Sequence, residues 1–363
     1  MQLETPAIKT RSGDGRFLRN TWYVAMWSAD LEPGRLVART LLNEALVFFR
    51  NARGAAIAMA DRCPHRLAPL SRGELLDDGT VKCGYHGLRF NEHGSCVYNP
   101  HGNHVIPPAA VADTYPVVEK HSLIWIWLGN EVPRPEDIPD FSVLDSADPA
   151  MVSKRDFLTM SSGYEIISDN LMDLSHVCFL HDGLLGNEQA IEAETSVEQK
   201  GSTVTATRIA RNVPVPAMFD LMFHQDGEAV DYWLIMRSDV PSYFLLDTGV
   251  CEPGALKNTG SGIFGIHLLT PETATTTHYH FAAVRQNPPK RTIEDELAIR
   301  EKLSAMRRFA FEEQDEPMLE AQQQRLLQNP DVRPVLLAID AGPVRTQKIV
   351  RMLIDAEQAR SAP

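Results

Sequence analysis

The sequence predicts an α+β protein, with a small all-β domain first and an antiparallel sheet carrying long helices after it. Three observations lead there. From about Asn20 to Asn130, short β-type runs alternate with Gly, Asn, Asp and Pro. A connector holding Pro133, Pro135 and Pro139 follows. Beyond it, longer strands are joined by segments of helical periodicity. A chain of 363 residues is also more than one ordinary core fills, so two domains are expected. The boundaries read as an N-terminal extension over 1–19, a first domain over 20–135 and a second over 136–363.

Residues 21–27, 45–50, 55–60, 80–90 and 122–129 read as strands of the first domain. In the second, residues 161–182 read as a helix with Ile166, Leu171, Leu174 and Phe179 in an apolar stripe. Residues 231–240, 242–250, 262–270 and 277–285 read as long strands. A helix is expected from Ile293 to about Leu327, interrupted at Pro317, and another near Val344–Glu357.

Composition narrows the function classes. Hydrophobic residues at 44% and charged residues at 23% describe a globular chain rather than a disordered one. The longest apolar runs, such as Trp22–Trp27, Leu123–Leu128 and Val335–Ile339, are far too short to span a bilayer. The first residues lack the apolar core of a secretory signal, so a cytoplasmic location is expected. A net charge of −13 disfavours nucleic-acid binding. Five cysteines in so long a chain argue against a disulfide framework.

Two of those cysteines fall in a tight constellation: Cys63-Pro64-His65, seventeen residues, then Cys83-Gly84-Tyr85-His86-Gly87. Each half supplies one thiolate and one imidazole. A Rieske [2Fe–2S] centre needs two cysteines on one iron and two histidines on the other, which two similar loops provide. Gly84 and Gly87 permit tight turns around the sulfurs. A structural zinc site uses the same ligand types but more often in C-x₂₋₄-C and H-x₃₋₅-H halves. The electron-transfer centre is therefore the favoured reading. Arg62, Arg66, Arg72, Lys82 and Arg89 surround the motif, either as a docking face for a reductase or as compensation for an anionic cluster.

A second constellation lies in DNLMDLSHVCFLH, residues 169–181. His176 and His181 are separated by four residues, which on an ideal helix would not share a face. A helix end, bulge or unwinding near Val177–Leu180 is required. Asp169, Asp173 and His176 lie at i, i+4 and i+7, one helical face. Two histidines and one carboxylate form the facial triad of non-haem Fe(II) oxygenases, which leaves positions open for O₂. The alternative is a pair of ordinary structural histidines. The third ligand comes from elsewhere; the run Glu312, Glu313, Asp315 and Glu316 supplies candidates, unless it is a solvated acidic face.

A pure electron carrier would need only residues 20–130, and the second metal motif argues against it. The string GSGIFG, Gly260–Gly265, matches a dinucleotide-binding pattern but precedes a β-type segment rather than opening a helix. NADH is therefore expected to act only through a separate flavin and iron–sulfur reductase or a ferredoxin.

The paired motifs CPHR…CGYHG and DNLMDLSHVCFLH resemble the oxygenase components of Rieske non-haem iron oxygenases. NTWYVA, CPHRLAPLS, GYHGLRF, LIWIW, LTPET and IDAG narrow the resemblance to the vanillate and dicamba O-demethylase group. The resemblance implies a helix-grip catalytic domain. It implies Cys63, His65, Cys83 and His86 as cluster ligands and His176, His181 and Asp315 as ligands of a mononuclear Fe(II). Asp173 would link the two centres by bonding a cluster histidine of the neighbouring subunit, and Asn170 would lie beside the iron. His267 matches a position that contacts a substrate carboxylate in dicamba-type enzymes. A homotrimer is implied, each cluster serving the next subunit's iron. The expected activity is O₂-dependent O-demethylation of a methoxylated aromatic acid such as vanillate, with release of formaldehyde. Ring or methyl hydroxylation and N-demethylation are the alternatives.

Overall fold

The computed structural model describes residues 16–146, 148 and 151–361. Most of the expected 1–19 extension, residues 1–15, lies outside the described residues. The chain forms two compact units. One contains residues up to Asp140 with Glu272–Ala274 and the last turn from Ala356; the other contains Phe141–Pro271 and Thr275–Asp355. No described helix is long and apolar enough to cross a membrane.

The first unit is built of short strands: β1 Trp22–Trp27, β2 Val37–Leu41, β3 Glu44–Arg50, β4 Ala56–Ala60, β5 Glu74–Leu75, β6 Val81–Lys82, β7 Arg89–Phe90, β8 Cys96–Tyr98, β9 Thr114–Tyr115, β10 Val117–Lys120 and β11 Leu123–Trp127. They form antiparallel sheets in the orders β1-β11-β10, β2-β3-β4-β9 and β5-β6-β7-β8. β1 and β11 read as continuous apolar runs because every residue in them is buried. The expected strand over 80–90 is instead two short pieces, β6 and β7, which pair across the loop between them. The intervening backbone is spent on hydrogen bonds within that loop, which a continuous strand would forbid.

The second unit carries one antiparallel sheet of seven strands: β12 Asp156–Met160, β13 Glu194–Lys200, β14 Thr203–Pro214, β15 Ala229–Asp239, β16 Tyr243–Cys251, β17 Ser261–Pro271 and β18 Thr277–Gln286. Their order is β12-β18-β17-β16-β15-β14-β13. The helices are α1 Tyr164–Met172, α2 Ala217–Met222, α3 Ile293–Phe309, α4 Glu316–Gln328 and α5 Ala341–Ser361. A π-helical segment, Ala310–Asp315, joins α3 to α4.

Two helical expectations are corrected. The helix expected over 161–182 ends at Met172. The Asp173 carboxylate accepts bonds from the Ser175 amide (2.8 Å) and hydroxyl (2.5 Å), a local turn that competes with further helix. Asp173 and His176 therefore share no helical face with Asp169, and Phe179, counted in the apolar stripe, is 60% exposed. Pro317 does not interrupt the long helix. It sits in the first turn of α4, just after the π segment. The widened turn accommodates the missing N–H and the ring's bulk.

The GSGIFG glycines serve the sheet. A Cβ on Gly262 would lie 2.1 Å from the Thr248 carbonyl oxygen, and one on the facing Gly249 would lie 2.5 Å from the Trp233 indole. The motif exists because neighbouring chain approaches closely, not because it cradles a phosphate.

Phe90 is fully buried in a cluster with Cys63, Leu70, Val81 and Cys83, beneath the two Cys–His loops. Phe90→Ala should lower stability by about 3–5 kcal/mol through the cavity left behind. Denaturant unfolding of the first unit's tryptophan signal checks this, and a loss under about 1 kcal/mol would show that the site collapses freely.

Candidate metal centres and their pocket

The two Cys–His loops of the first unit have the same backbone bonding. The Cys63 amide donates to the Ala68 carbonyl (2.8 Å) and the Cys83 amide to the Leu88 carbonyl (2.8 Å), each five residues on. Four residues on, the Leu67 and Gly87 amides return to the Cys63 and Cys83 carbonyls (2.8 and 3.0 Å). Position four of each loop has positive φ, +58° at Leu67 and +72° at Gly87. Glycine takes that conformation at no steric cost; the leucine is strained there and stands 67% exposed.

These turns bury both thiols and bring the two imidazoles together. Cys63 and Cys83 are each 2% exposed, and the rings of His65 and His86 lie 4.7 Å apart. Burial pushes the Cys63 thiol up to about 11, and the adjacent Cys83 adds to that. These two thiols and two imidazoles are the donor set that a [2Fe–2S] cluster of this type requires, and they could hold one. Gly84 packs against the Arg72 carbonyl, where a Cβ would stand 2.8 Å away. Of the surrounding cations, Arg62 pairs with Asp113 (2.8 Å) and Lys82 with Glu74 (3.1 Å). Arg89 lies over the Tyr98 ring at 4.6 Å. Arg66 and Arg72 are exposed and have no ion pair among the described residues.

In the second unit, the ligand atoms of His176, His181 and Asp315 lie within 4.8 Å of one another. His181 Nε2 is 3.3 Å and His176 Nε2 3.8 Å from the same Asp315 oxygen. His176 opens a short 3₁₀ turn after α1, and His181 follows in the loop. The break in helix that the histidine spacing requires thus occurs, but earlier than Val177. Asp315 ends the π segment, a geometry frequent at functional sites. The other acids of that run do not converge: Glu312 pairs with Arg308 (2.7 Å), and Glu313 is exposed.

Each histidine is oriented from behind. His176 Nδ1 faces the Asp173 backbone carbonyl (2.5 Å), and His181 Nδ1 faces the Gln314 side-chain oxygen (2.8 Å). Both acceptors place the ring proton on Nδ1 and leave each Nε2 lone pair toward Asp315. Burial, offset in part by Asp315, holds His176 below its ordinary pKa. For His181 burial acts the same way, but bonds from Asp315 and Gln314 raise it. Asn170 donates to the same Asp315 oxygen that faces both rings (3.1 Å).

The three groups open onto a cavity walled by alternate residues of three strands: Leu234 and Met236 of β15, Leu246 and Thr248 of β16, and Ile263, Gly265 and His267 of β17. His267 is buried, and its Nδ1 bonds the Tyr279 hydroxyl (2.5 Å). Sequence reasoning missed Gln314, Tyr279 and Arg307. Gln314 had one available signal, its place beside Asp315; Tyr279 and Arg307 come from β18 and α3, and only the folded sheet brings them here.

Fold and site together define an iron–sulfur protein with a second, mononuclear metal centre facing an apolar pocket. Comparison with known proteins resolves the class. The Rieske [2Fe–2S] domain profile matches residues 21–116, and that of the vanillate O-demethylase oxygenase C-terminal domain matches residues 160–356. The chain is 35% identical to the iron–sulfur subunit of the toluene-4-sulfonate monooxygenase system of Comamonas testosteroni, covering 96% of this chain and 100% of that one. It is 33% identical to the oxygenase component of chloroacetanilide N-alkylformylase of Rhizorhabdus wittichii, covering 94% and 97%. A crystal structure of dicamba monooxygenase bound to 3,6-dichlorosalicylic acid superposes with a TM-score of 0.87 at 31% identity, covering 96% and 99%. The chain belongs to the vanillate O-demethylase family of Rieske non-haem iron oxygenases and is an oxygenase component, an oxidoreductase.

Gln314→Leu removes the acceptor behind His181. Fe(II) affinity should fall by about 10- to 100-fold, the usual effect of losing such a support. Competition with a chelator measures it; unchanged affinity would mean that packing alone orients the ring.

Proposed function

We propose that this protein O-demethylates a methoxylated aromatic acid of the vanillate type, using O₂ and electrons from NADH relayed by a separate reductase or ferredoxin. The observation that carries the reading is the convergence of His176, His181 and Asp315 on a cavity whose lining is largely apolar. Cys63, His65, Cys83 and His86 would hold the [2Fe–2S] cluster, and His176, His181 and Asp315 a mononuclear Fe(II). When bound, these centres supply single electrons and the activation of O₂. The residues do the rest. The apolar wall excludes water and packs an aromatic ring, and His267 would meet the ring's carboxylate. Asn170 holds the Asp315 carboxylate in place. The overall change is ArOCH₃ + O₂ + 2e⁻ + 2H⁺ to ArOH, formaldehyde and water.

Asp173 would connect the centres across a subunit boundary in a homotrimer. Its backbone carbonyl already holds His176, and its Oδ1 is occupied by Ser175. Its second carboxylate oxygen is left for a cluster histidine of a neighbouring copy. The exposed apolar run Val335, Leu336 and Leu337 supports a further copy covering this region's surface. N-dealkylation is the second reading, favoured by the chloroacetanilide relative named above.

The first test is a panel of vanillate, methoxybenzoates, N-alkylanilides and toluenesulfonate with a surrogate reductase. Vanillate-type substrates should give formaldehyde equimolar with substrate-dependent O₂ uptake. Oxygen uptake on toluenesulfonate or anilides alone would replace demethylation with the corresponding chemistry. The second test is Asp173→Asn. Iron content and trimer mass by sedimentation should be unchanged while turnover falls by about a hundredfold or more, the scale of a misplaced transfer partner. A monomeric wild-type protein or near-normal turnover in the variant would overturn the linking role.

A further inference from the structure

Among the residues lining the cavity, Arg307 alone carries a permanent positive charge. Its side chain is 3% exposed and comes from α3. One nitrogen, Nη1, donates to the Ser153 hydroxyl (2.6 Å), and the guanidinium lies over the Phe281 ring at 5.3 Å. The other, Nη2, is buried with no hydrogen-bond partner. Leaving a charged donor so is costly, and native proteins rarely do it without a ligand or a function.

Local charges do not neutralise it. The carboxylate acting most on Arg307 is Asp156, which also pairs with Lys154 (3.8 Å) and Arg308 (3.6 Å). Three cations therefore share the Asp156 carboxylate, and Glu312 offsets Arg308 alone. Burial pulls Arg307 down to about 10, which still leaves it a cation at neutral pH.

His267 also lines the cavity, with Tyr279 of β18 behind it. The Tyr279 hydroxyl has no partner among the described residues except His267 Nδ1. Its proton therefore goes to Nδ1. Burial, helped by the nearby charge of Arg307, lowers His267 to about 3, so the ring is neutral with its single proton on Nε2. Nε2 has no partner either. Across from it, Gly265 has no side chain; a Cβ there would stand 3.0 Å from Nε2.

We propose that Arg307 Nη2 is a further donor to the anionic group that His267 is proposed to meet, and that Arg307 sets a preference for an acid over its neutral isostere, with Tyr279 positioning the His267 proton. This rests on the aromatic substrate proposed above and extends it to a charge requirement. Carboxylate and sulfonate share the recognising chemistry, a planar or trigonal anion with several acceptor oxygens.

Calorimetric titration of the iron-loaded holoenzyme with 4-methoxybenzoate, 4-methoxybenzenesulfonate and neutral 4-methoxybenzamide tests it. Wild type should prefer an anion over the amide by about tenfold or more, and the two anions identify which group fits. Arg307→Gln should lose most of that preference while keeping amide affinity within about twofold, a split that a structural role would not produce. Arg307→Lys should retain part of it. A wild-type preference under about twofold, or equal losses for acid and amide in Arg307→Gln, overturns the proposal. Should Arg307→Gln not fold, the wild-type ratio and Arg307→Lys decide. Formaldehyde from methoxyarenes without charge preference removes Arg307 only; absence of binding by every probe removes the aromatic-acid reading as well.

Discussion

Two imidazoles and a carboxylate meeting within 4.8 Å in a buried pocket are the constraint on which the second unit is built. Burial disfavours charge on both rings, and the shared Asp315 oxygen treats them unequally. His176 is held below its ordinary pKa, whereas His181 is raised. A divalent cation is the one partner that all three groups could share. To bring them together the chain departs twice from regular helix. α1 stops at Met172 so that His176 and His181 can turn toward one another, and the late helix widens into a π segment so that Asp315 points inward. The same widening puts Gln314 behind His181, so one irregularity positions both the Asp315 carboxylate and the acceptor that orients His181. Both departures leave backbone groups without their usual helical partners; at Asp173, side chain and carbonyl take up part of the deficit.

Much of this was legible in residue spacing because metal ligation is a local demand. The histidine spacing alone requires a break in helix, and the break exists. Its position was misread because apolar periodicity from Ile166 to Leu174 continues past the point where Asp173 captures the Ser175 amide. A short side-chain turn costs the helix little and leaves no mark on periodicity. Residue chemistry narrowed the candidate third ligand to an acidic run, and only the resemblance singled out Asp315; a choice from spacing alone would depend on how a π turn rotates four carboxylates, a property of the folded helix. Pro317 was the visible trace of that turn and was misread as an interruption.

The first unit shows the complementary case. The cysteine and histidine spacings differ by one residue between the two loops, C-x-H against C-x₂-H, yet the loops share the same return hydrogen bonds. Reading 80–90 as one strand failed because β propensity of the flanking residues says nothing about where the Cys83 amide finds its acceptor. Leu67 was invisible for a related reason. Its place in the loop matches Gly87, but a leucine there gives no warning of positive φ.

The cavity itself was almost silent in sequence, and the reason is physical. Its walls are alternate residues on three strands, identical in pattern to any half-buried sheet. What distinguishes it is a property of absence: donors without acceptors and a glycine where a side chain would fill the space before His267. Unpartnered groups become visible only when every neighbour is placed. A buried guanidinium left half-satisfied is destabilising for the empty protein, and the penalty recovers only when an anion arrives. Such a pocket converts strain in the free state into discrimination between ligands, because a neutral isostere leaves the deficit standing. Selectivity for charge can therefore be set by two atoms within a wall that otherwise asks only for an apolar ring of the right size.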